Sequence, residues 1–200
     1  MIEFYNKIAL IGNGGFGREV YYHMINDGID KNYIEFFDDN NINCKKISDL
    51  DIKKFKVLVT VAEPEIREQI VKRLPSETQF YTYIHSSAKI LDENIKIGHG
   101  SIICAGSILT TNITIGRHAH INLNTTIGHD CMIGDFFTTT PNVNISGNCI
   151  LMDKIYLGTN STIREKIKIC SNVKIGMNSG VIKNVEESGT YIGTPLKKIK

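Results

Sequence analysis

Residues 121–151 read INLNTTIGHDCMIGDFFTTTPNVNISGNCIL, and every sixth residue of this stretch, counted from Ile121, is aliphatic except Thr139. The same step extends without a slip from Ile97 to Val181. Neither the two-residue period of a strand nor the helical period of about 3.6 residues produces it. A fixed hexapeptide period is the sequence signature of a parallel β-helix. The column comprises Ile97, Ile103, Leu109, Ile115, Ile121, Ile127, Ile133, Thr139, Ile145, Leu151, Leu157, Ile163, Ile169, Ile175 and Val181.

Two further columns follow the same six-residue step. A small or apolar residue stands two positions before each member of the first column, so both side chains point inward, as alternation along a strand requires. Asn recurs three positions after the aliphatic residue, where a turn needs a residue that tolerates the left-handed conformation. Three strands and three turns make a coil of about eighteen residues, which gives roughly five coils. The alternative, an all-β sandwich with chance spacing, is disfavoured by so many matching hexads.

The N-terminal part has a different pattern. Lys7–Ile11 reads as a buried strand, the glycine-rich segment 12–17 (GNGGFG) follows at once, and residues 18–25 read as a helix. Free backbone N–H groups and the helix dipole make such a turn an anion site, so Gly12, Gly14 and Gly15 are candidate nucleotide-binding residues. The alternative is a glycine-rich turn that serves only tight packing.

Two acids follow the second predicted strand of this part, residues 33–37. Asp38 and Asp39 lie about twenty residues past the glycines, where a ribose hydroxyl is held in nucleotide-binding folds. A strand over 56–61, a helix over 64–74 and a last strand over 79–84 complete a domain of residues 1–85. A dinucleotide-binding dehydrogenase needs two such halves and a substrate domain. One half predicts a Rossmann-like domain for a single nucleotide.

Bulk composition excludes some classes of function. The 200 residues carry a formal net charge of +2, which favours neither nucleic acid nor a membrane surface. No apolar run approaches the ~18 residues of a membrane span. The segment 1–7 (MIEFYNK) has an early acid and no long apolar region, so we expect no secretory signal. Five cysteines without a C-x-x-C pair predict reduced thiols and a cytoplasmic location.

The whole chain resembles one family. The glycine-rich turn, Asp38-Asp39 and a hexapeptide region ending in Gly193-Thr194-Pro195 are similar to the sialic acid O-acetyltransferases and the nucleotide-amino-sugar N-acetyltransferases, which include the bacillosamine-pathway enzyme. The resemblance implies that residues 86–200 form a left-handed β-helix with a short C-terminal tail. It also implies a homotrimer with active sites between subunits, acetyl-CoA in the cleft between neighbouring β-helices, and a sugar nucleotide against the N-terminal domain.

Within the β-helix, the match is strongest at residues 122–131 (NLNTTIGHDC). The resemblance makes His129 the catalytic base, Asp130 its orienting acid and Asn122 a residue near the acceptor. The family takes its oxyanion donor from a glycine N–H one coil further on, and Gly147 stands eighteen residues after His129. Two departures are expected to matter. Phe16 replaces a frequent His at the nucleotide, and Thr138 replaces a second His that positions the acetyl group.

Candidate contacts to CoA are Gly147, Gly158, Gly176, Pro195 and Lys197. Gly158 and Gly176 are better explained as turn glycines, whereas Lys197 is equally well explained as part of a solvated tail.

Other histidines and cysteines have structural interpretations. His118 stands at a turn position, and His120 could line an interface between subunits. The histidine spacing does not converge on a metal site. Cys131 and Cys149, one coil apart in an inward column, are expected to be small buried hydrophobes.

The favoured function is acetyl-CoA-dependent N-acetylation of a nucleotide-linked amino sugar for bacterial surface glycans, most simply a UDP-linked 4-amino-4,6-dideoxy sugar acetylated at C4. O-acetylation of sialic acid or a related sugar is the first alternative, because a hydroxyl also needs a base. A non-catalytic nucleotide-sugar-binding trimer is the second. The nucleotide base, the stereochemistry of the sugar and the position acetylated stay open.

Overall fold

The computed structural model describes residues 7–200, which form a small α/β domain followed by a β-helix. The first six residues, on which most of the signal-sequence expectation rests, lie outside the described residues. A parallel sheet of three strands in the order β2-β1-β3 forms the centre of the α/β domain. Its elements are β1 (Lys7–Ile11), α1 (Gly15–Asn26), β2 (Ile34–Phe37), β3 (Phe55–Val59) and α2 (Pro64–Arg73), with one-turn 3₁₀ helices at Lys31–Tyr33 and Ile47–Asp49.

The segment expected to form a strand over 79–84 is split between the two parts. Phe80 bridges to Val57 in the α/β domain, whereas Tyr83 pairs with Ile102 in the β-helix. Because one short segment serves two sheets, the regular strand is reduced to Tyr83–Ile84, and the β-helix begins there.

The β-helix is left-handed, and its strands are almost all two residues long. They stack in register into three faces. The first face contains β4 (Tyr83–Ile84), β7 (Ile102–Ile103), β10 (His120–Ile121), β13 (Thr138–Thr139), β16 (Tyr156–Leu157), β19 (Val173–Ile175), β21 (Gly189–Ile192) and β22 (Lys197–Lys198). The second contains β5 (Lys89–Ile90), β8 (Ile108–Leu109), β11 (Thr126–Ile127), β14 (Asn144–Ile145), β17 (Thr162–Ile163) and β20 (Gly180–Val181). The third contains β6 (Lys96–Ile97), β9 (Thr114–Ile115), β12 (Met132–Ile133), β15 (Ile150–Leu151) and β18 (Lys168–Ile169).

The first coil differs from the rest by one residue. Ile90 and Ile97 end consecutive strands seven positions apart, whereas the later strands repeat every six. The predicted frame therefore breaks before Ile97, and the two strands ahead of it, β4 and β5, fall outside the pattern. They add a sixth strand to the five expected on each of the first two faces, and the first face also takes up β21 and β22 beyond the repeat.

The turns explain the Asn column. A positive φ recurs at every sixth residue from Gly100 to Asn178, and seven of these positions are the predicted asparagines 112, 124, 142, 148, 160, 172 and 178. Residues other than Gly, Asn, Asp and His rarely adopt this conformation, yet Phe136, Lys154 and Lys166 do so here. The stacked backbone therefore imposes the turn, and Asn is the residue that accommodates it most easily.

Arg67 of α2 joins the α/β domain to the β-helix. Its side chain is fully buried, and burial lowers its pKa to about 9, which leaves the guanidinium charged at neutral pH. The partners, all at 2.7–3.2 Å, are the carbonyls of Val61, Ala62, His118 and Phe137, the hydroxyl of Thr138 and Nδ1 of His120. One side chain thus satisfies backbone carbonyls on both sides of the interface.

His120 is part of this interface and does not line a subunit contact, which corrects the expectation from sequence. It is buried on the first face, with Nε2 3.0 Å from the carbonyl of Val59. A carbonyl only accepts, so Nε2 carries the proton, and Nδ1 accepts from Arg67. Burial and the nearby Arg67 charge hold the pKa of His120 well below its ordinary value, so the ring is neutral.

A second contact attaches α1 to the first coil. Asp27, at the end of α1, accepts hydrogen bonds from the Tyr83 hydroxyl at 2.7 Å and from the Ser86 amide and hydroxyl at 2.9 and 2.6 Å. Together with Arg67, it fixes the α/β domain against the first face. Within residues 7–200, no helix is both long and apolar enough to span a bilayer.

Removing the Arg67 side chain is expected to destabilise the protein strongly. Arg67→Met leaves several buried carbonyls without a donor, and we expect a loss of about 3 kcal/mol or more in the free energy of unfolding. Urea unfolding followed by circular dichroism measures it. Arg164→Met, at an exposed arginine, is the control, and equal midpoints for the two variants would contradict the interface role.

Candidate active site

His129, Asp130 and Asn112 form a hydrogen-bonded chain at the turns between the second and third faces, here called the histidine edge (turns 110–112, 128–130, 146–148 and 164–166). Nδ1 of His129 lies 2.7 Å from Oδ2 of Asp130, and Nδ2 of Asn112 donates to Oδ1 of Asp130 at 2.6 Å. The Asn112 bond, followed by that from His129, lowers the pKa of Asp130 below its ordinary value. The acid therefore stays ionised and holds the imidazole.

The contact between His129 and Asp130 assigns the tautomer of the base. An ionised carboxylate only accepts, so Nδ1 carries the ring proton and Nε2 is free to accept one. The ring is about half exposed, with 56% of the side chain accessible. Nε2 is thus available as a general base.

Gly147 lies directly beneath this ring, one coil along the chain. The amide of Asn148 donates to the carbonyl of His129 at 2.8 Å, which sets the register of the two turns. A Cβ built on Gly147 would come within 2.6 Å of Nε2 of His129, so only glycine leaves room for the imidazole. Among residues 7–200, no acceptor takes the Gly147 N–H. A free donor and a free base therefore lie side by side, an arrangement suited to acyl transfer.

The predicted nucleotide-binding residues line one cavity of about 680 Å³ in the α/β domain, which includes Gly12, Gly14, Gly15, Asp38 and Asp39. The three glycines of this cavity serve different structural purposes. Gly12 has a φ of +107°, which disfavours a side chain. A Cβ at Gly14 or Gly15 would meet nothing within 4 Å, so these two leave open space beside the N-terminus of α1.

Asp38 and Asp39 shape this cavity through contacts of their own. Asp38 accepts from the amides of Asn13 and Asn40 at 2.8 and 2.9 Å. Asp39 bonds Nη2 of Arg73 at 2.8 Å, and the amide of Ile47, the largest influence, lowers its pKa together with Arg73. Sequence reasoning missed Arg73, the one cation among the residues that line the cavity. It stands near the end of a charged helix with no motif around it, so only its contact with Asp39 identifies it.

Thr138 does not join His129. It is buried on the first face, where its hydroxyl accepts from Arg67 and donates to the carbonyl of Ala62 at 2.9 Å. The expectation that Thr138 replaces an acetyl-positioning histidine is therefore wrong within this chain, because its hydroxyl is committed to the interface. Asn122 lies half-buried at the turn between the first and second faces, where Oδ1 accepts from the amide of Leu123.

The candidate CoA contacts fall into two groups. Gly158 and Gly176 stack on each other, and their N–H groups already donate to the carbonyls of Ile175 and Tyr191. This favours the turn-glycine interpretation for both. Pro195 and Lys197 line a cavity of about 320 Å³ at the C-terminal end of the coil.

Lys183 lines the same cavity and was missed from sequence. Lys183 follows β20, in the next turn along the histidine edge. The cavity therefore lies on the side of the β-helix that carries His129. Among residues 7–200, no cluster of three or more His, Cys, Asp or Glu side chains could hold a metal ion.

The two candidate subsites lie on opposite sides of one chain. The α/β domain, with its nucleotide cavity, packs on the first face through Arg67, whereas His129 projects from the edge between the other two faces. In a triangular coil this edge is the corner opposite the first face. The cavity and the base of a single chain therefore do not meet.

Solved structures share this architecture over the whole chain. WeeI from Acinetobacter baumannii AYE is 30% identical with a TM-score of 0.87, and the match covers 96% of this chain and 99% of WeeI. The chain belongs to the hexapeptide-repeat sugar acyltransferase family. The family and the enzyme class predicted from the sequence, an acetyltransferase, are both confirmed.

Other solved structures share the fold of this chain. The acetyltransferase domain of PglB from Neisseria gonorrhoeae FA1090 is 25% identical with a TM-score of 0.87, covering 97% of this chain and 100% of that domain; a second structure of it contains acetyl coenzyme A. Perosamine N-acetyltransferase from Caulobacter crescentus, solved with CoA and GDP-perosamine, is 18% identical with a TM-score of 0.87 over 97% of both chains, and shows the shared fold. The family described as the PglD N-terminal domain matches residues 7–74. No curated protein sequence matches.

A methyl group at Gly147 is expected to displace the base. The φ of Gly147 lies outside the left-handed region, so Gly147→Ala is opposed by the imidazole and not by the backbone. A displacement of about 1 Å costs on the order of a hundredfold in turnover, and we expect that loss in kcat with an unchanged melting temperature. The control is Ser146→Ala at the exposed neighbour; near-normal turnover of Gly147→Ala would show that the ring is free to move.

Proposed function

We propose that this acetyltransferase transfers the acetyl group of acetyl-CoA to the amino group, at C4, of a nucleotide-linked amino-dideoxy sugar used in bacterial surface glycans. The single observation that carries the proposal is the geometry at the histidine edge, where Nε2 of His129 lies over Gly147 while Asp130 holds Nδ1. The relatives supply the chemistry: PglB has been solved with acetyl coenzyme A, and perosamine N-acetyltransferase with CoA and a GDP-linked amino sugar.

The proposed reaction uses each of these groups once. An aliphatic amine is mostly protonated at neutral pH and has to lose a proton to attack. The amine nitrogen forms a bond to the thioester carbon as Nε2 of His129 takes its proton. The Gly147 N–H donates to the oxyanion, and Asp130 stabilises the imidazolium. Collapse of the tetrahedral intermediate breaks the C–S bond, and CoA leaves as the thiolate, with no acyl-enzyme.

We assign the nucleotide to the cavity of the α/β domain and acetyl transfer to the β-helix. The open space at Gly14 and Gly15 and the positive end of α1 suit phosphate, and the Arg73 guanidinium adds a cation. Phe16 lines the same cavity and packs on His120, with ring centroids 5.2 Å apart, so it contributes a non-polar wall.

For acetyl-CoA, we propose that the nucleotide end meets Lys183, Pro195 and Lys197. Lys183 stands three coils past His129, a rise of about 14 Å at the ~4.8 Å strand spacing, so an extended pantetheine arm would follow the histidine edge. The five free cysteines fit a reducing compartment, and we place the reaction in the cytoplasm.

A homotrimer resolves the separation of the two subsites. Because the cavity and His129 of one chain lie on opposite sides of the coil, we propose that a sugar nucleotide bound to one subunit presents its amine to His129 of a neighbour. Cyclic symmetry then gives one complete site at every interface.

The reaction class is tested by incubating the protein with acetyl-CoA and a mixed pool of UDP-, dTDP- and GDP-linked amino sugars, CMP-sialic acid and free sialic acid. Mass spectrometry is expected to show one acetyl group gained by a single amino sugar, and His129→Ala is expected to reduce this gain by about 100-fold or more. A gain on sialic acid alone would replace the proposal by O-acetylation. No gain on any sugar would leave a binding protein.

Mixed trimers test whether each site is shared between subunits. His129→Ala removes the base, and Gly14→Trp is chosen to obstruct the cavity, because nothing lies within 4 Å of a Cβ at this position. Each variant alone is expected to be inactive. Co-expressed at equal levels, they should recover about a quarter of the wild-type rate, since about one interface in four pairs an intact cavity with an intact histidine. If each chain held its own complete site, the mixture would stay inactive.

A further inference from the structure

The extra residue of the first coil lies at the base of the histidine edge. Asp92 lies in the enlarged turn between β5 and β6, and its carboxylate bonds residues of the next turn along that edge. Oδ2 accepts from the Thr111 hydroxyl at 2.7 Å and from the Asn112 amide at 3.0 Å. Oδ1 accepts from the amide of Asn94 at 2.9 Å, which fixes the carboxylate within its own turn.

Asn112 connects the first coil to the next one by hydrogen bonds. Its backbone is anchored by Asp92, and its side-chain amide donates to Asp130 at 2.6 Å. The backbone of Asp130 is held as well, because its amide donates to the carbonyl of Thr111 at 3.1 Å. Asp130 in turn holds Nδ1 of His129 at 2.7 Å. A continuous set of hydrogen bonds therefore runs from the first coil to the base.

This set offsets a geometric disadvantage of Asp130. With a φ of +60° it occupies a left-handed turn, and its side chain lies nearly half exposed beside His129, with 44% of its area accessible. An exposed carboxylate next to an exposed ring is held weakly by their attraction alone. The bond from Asn112 occupies the second carboxylate oxygen and leaves Oδ2 for the imidazole.

We propose that Asn112 is a positioning residue for acetyl transfer, which orients Asp130 and through it the imidazole of His129, and that Asp92 in the enlarged first turn anchors Asn112. The proposal rests on the function proposed above for His129. In this turn Asn112 both tolerates a positive φ of 51° and supplies its side-chain amide to Asp130.

The decisive variant is Asn112→Gly. Glycine adopts a positive φ without strain, so the variant removes only the side-chain amide and keeps the backbone N–H. Asn172→Gly is the matched control, because Asn172 occupies the same turn position with a φ of 62° on another edge. Asn112→Asp keeps the shape and sets a carboxylate against Asp130. Asp92→Ala removes the carboxylate that anchors Asn112 and leaves both His129 and Asp130 in place.

Asn112→Gly is expected to lower kcat about tenfold, the effect of losing one hydrogen bond to a charged group, with KM for both substrates unchanged. Asn112→Asp should lower kcat further, because like charges then meet, and Asp92→Ala should give a smaller loss. Asn112→Gly and Asn172→Gly should both stay folded, and the melting temperature of Asn112→Gly should lie only slightly below that of Asn172→Gly, because the bond it loses is at the exposed surface. A kcat of Asn112→Gly equal to that of Asn172→Gly would overturn the proposal.

A measurement independent of any acceptor separates this inference from the proposed function. Nitrogen-15 NMR of histidine-labelled protein reports which ring nitrogen carries the proton, and His129→Ala identifies the signal. In the wild type, we expect the proton of neutral His129 on Nδ1. Asn112→Gly should shift the population toward the Nε2 tautomer while Asn172→Gly leaves it unchanged. An unchanged tautomer in Asn112→Gly refutes the positioning role even if the protein acetylates no sugar.

Discussion

The stacking of one coil on the next is the constraint on which the rest of this protein depends. From β6 to β17, each strand pairs in register with the residue eighteen positions further on, as Ile127 does with Ile145 and Met132 with Ile150. Two-residue strands gain little alone, so the repeated backbone hydrogen bonds and the buried columns have to act together. The same register places any turn residue against its counterpart in the neighbouring coil. The candidate active site uses this directly, since it brings Gly147 under His129 and Asn112 beside Asp130.

A repeating scaffold creates a problem that the site has to overcome. Every coil offers similar turns, and half of the turns with a positive φ carry an Asn, so catalysis needs one turn to differ from the others. Here Asp130 occupies the Asn position and reaches back to His129, while Gly147 removes the side chain that would obstruct the ring. These departures from the consensus are individually small. Their effect depends on falling in adjacent coils on one edge.

Arg67 is the second element on which function depends, because it determines where the α/β domain sits. Its guanidinium satisfies carbonyls from α2's own domain and from two coils of the first face. A buried charge of this kind is costly unless every donor finds a partner, and here His120 and Thr138 complete the set. The domain is thereby held opposite the histidine edge. In our proposal this geometry makes a neighbouring subunit necessary for the reaction.

The sequence by itself determined the β-helix, its inward columns and its turns, because a six-residue period leaves few other ways to bury those side chains. It also indicated His129 and Gly147 as a stacked pair, since their spacing equals one coil. Only the tertiary structure decided the rest. The inserted residue before Ile97 hid the first two strands of the β-helix from the periodicity. Thr138 and His120 looked like site or surface residues, because nothing local reveals that Arg67 covers them. Arg73 and Asp92 carry no motif, and Asn112 looks like any other turn asparagine of the repeat. Their roles arise from contacts between residues that are distant in the chain but adjacent in the folded structure.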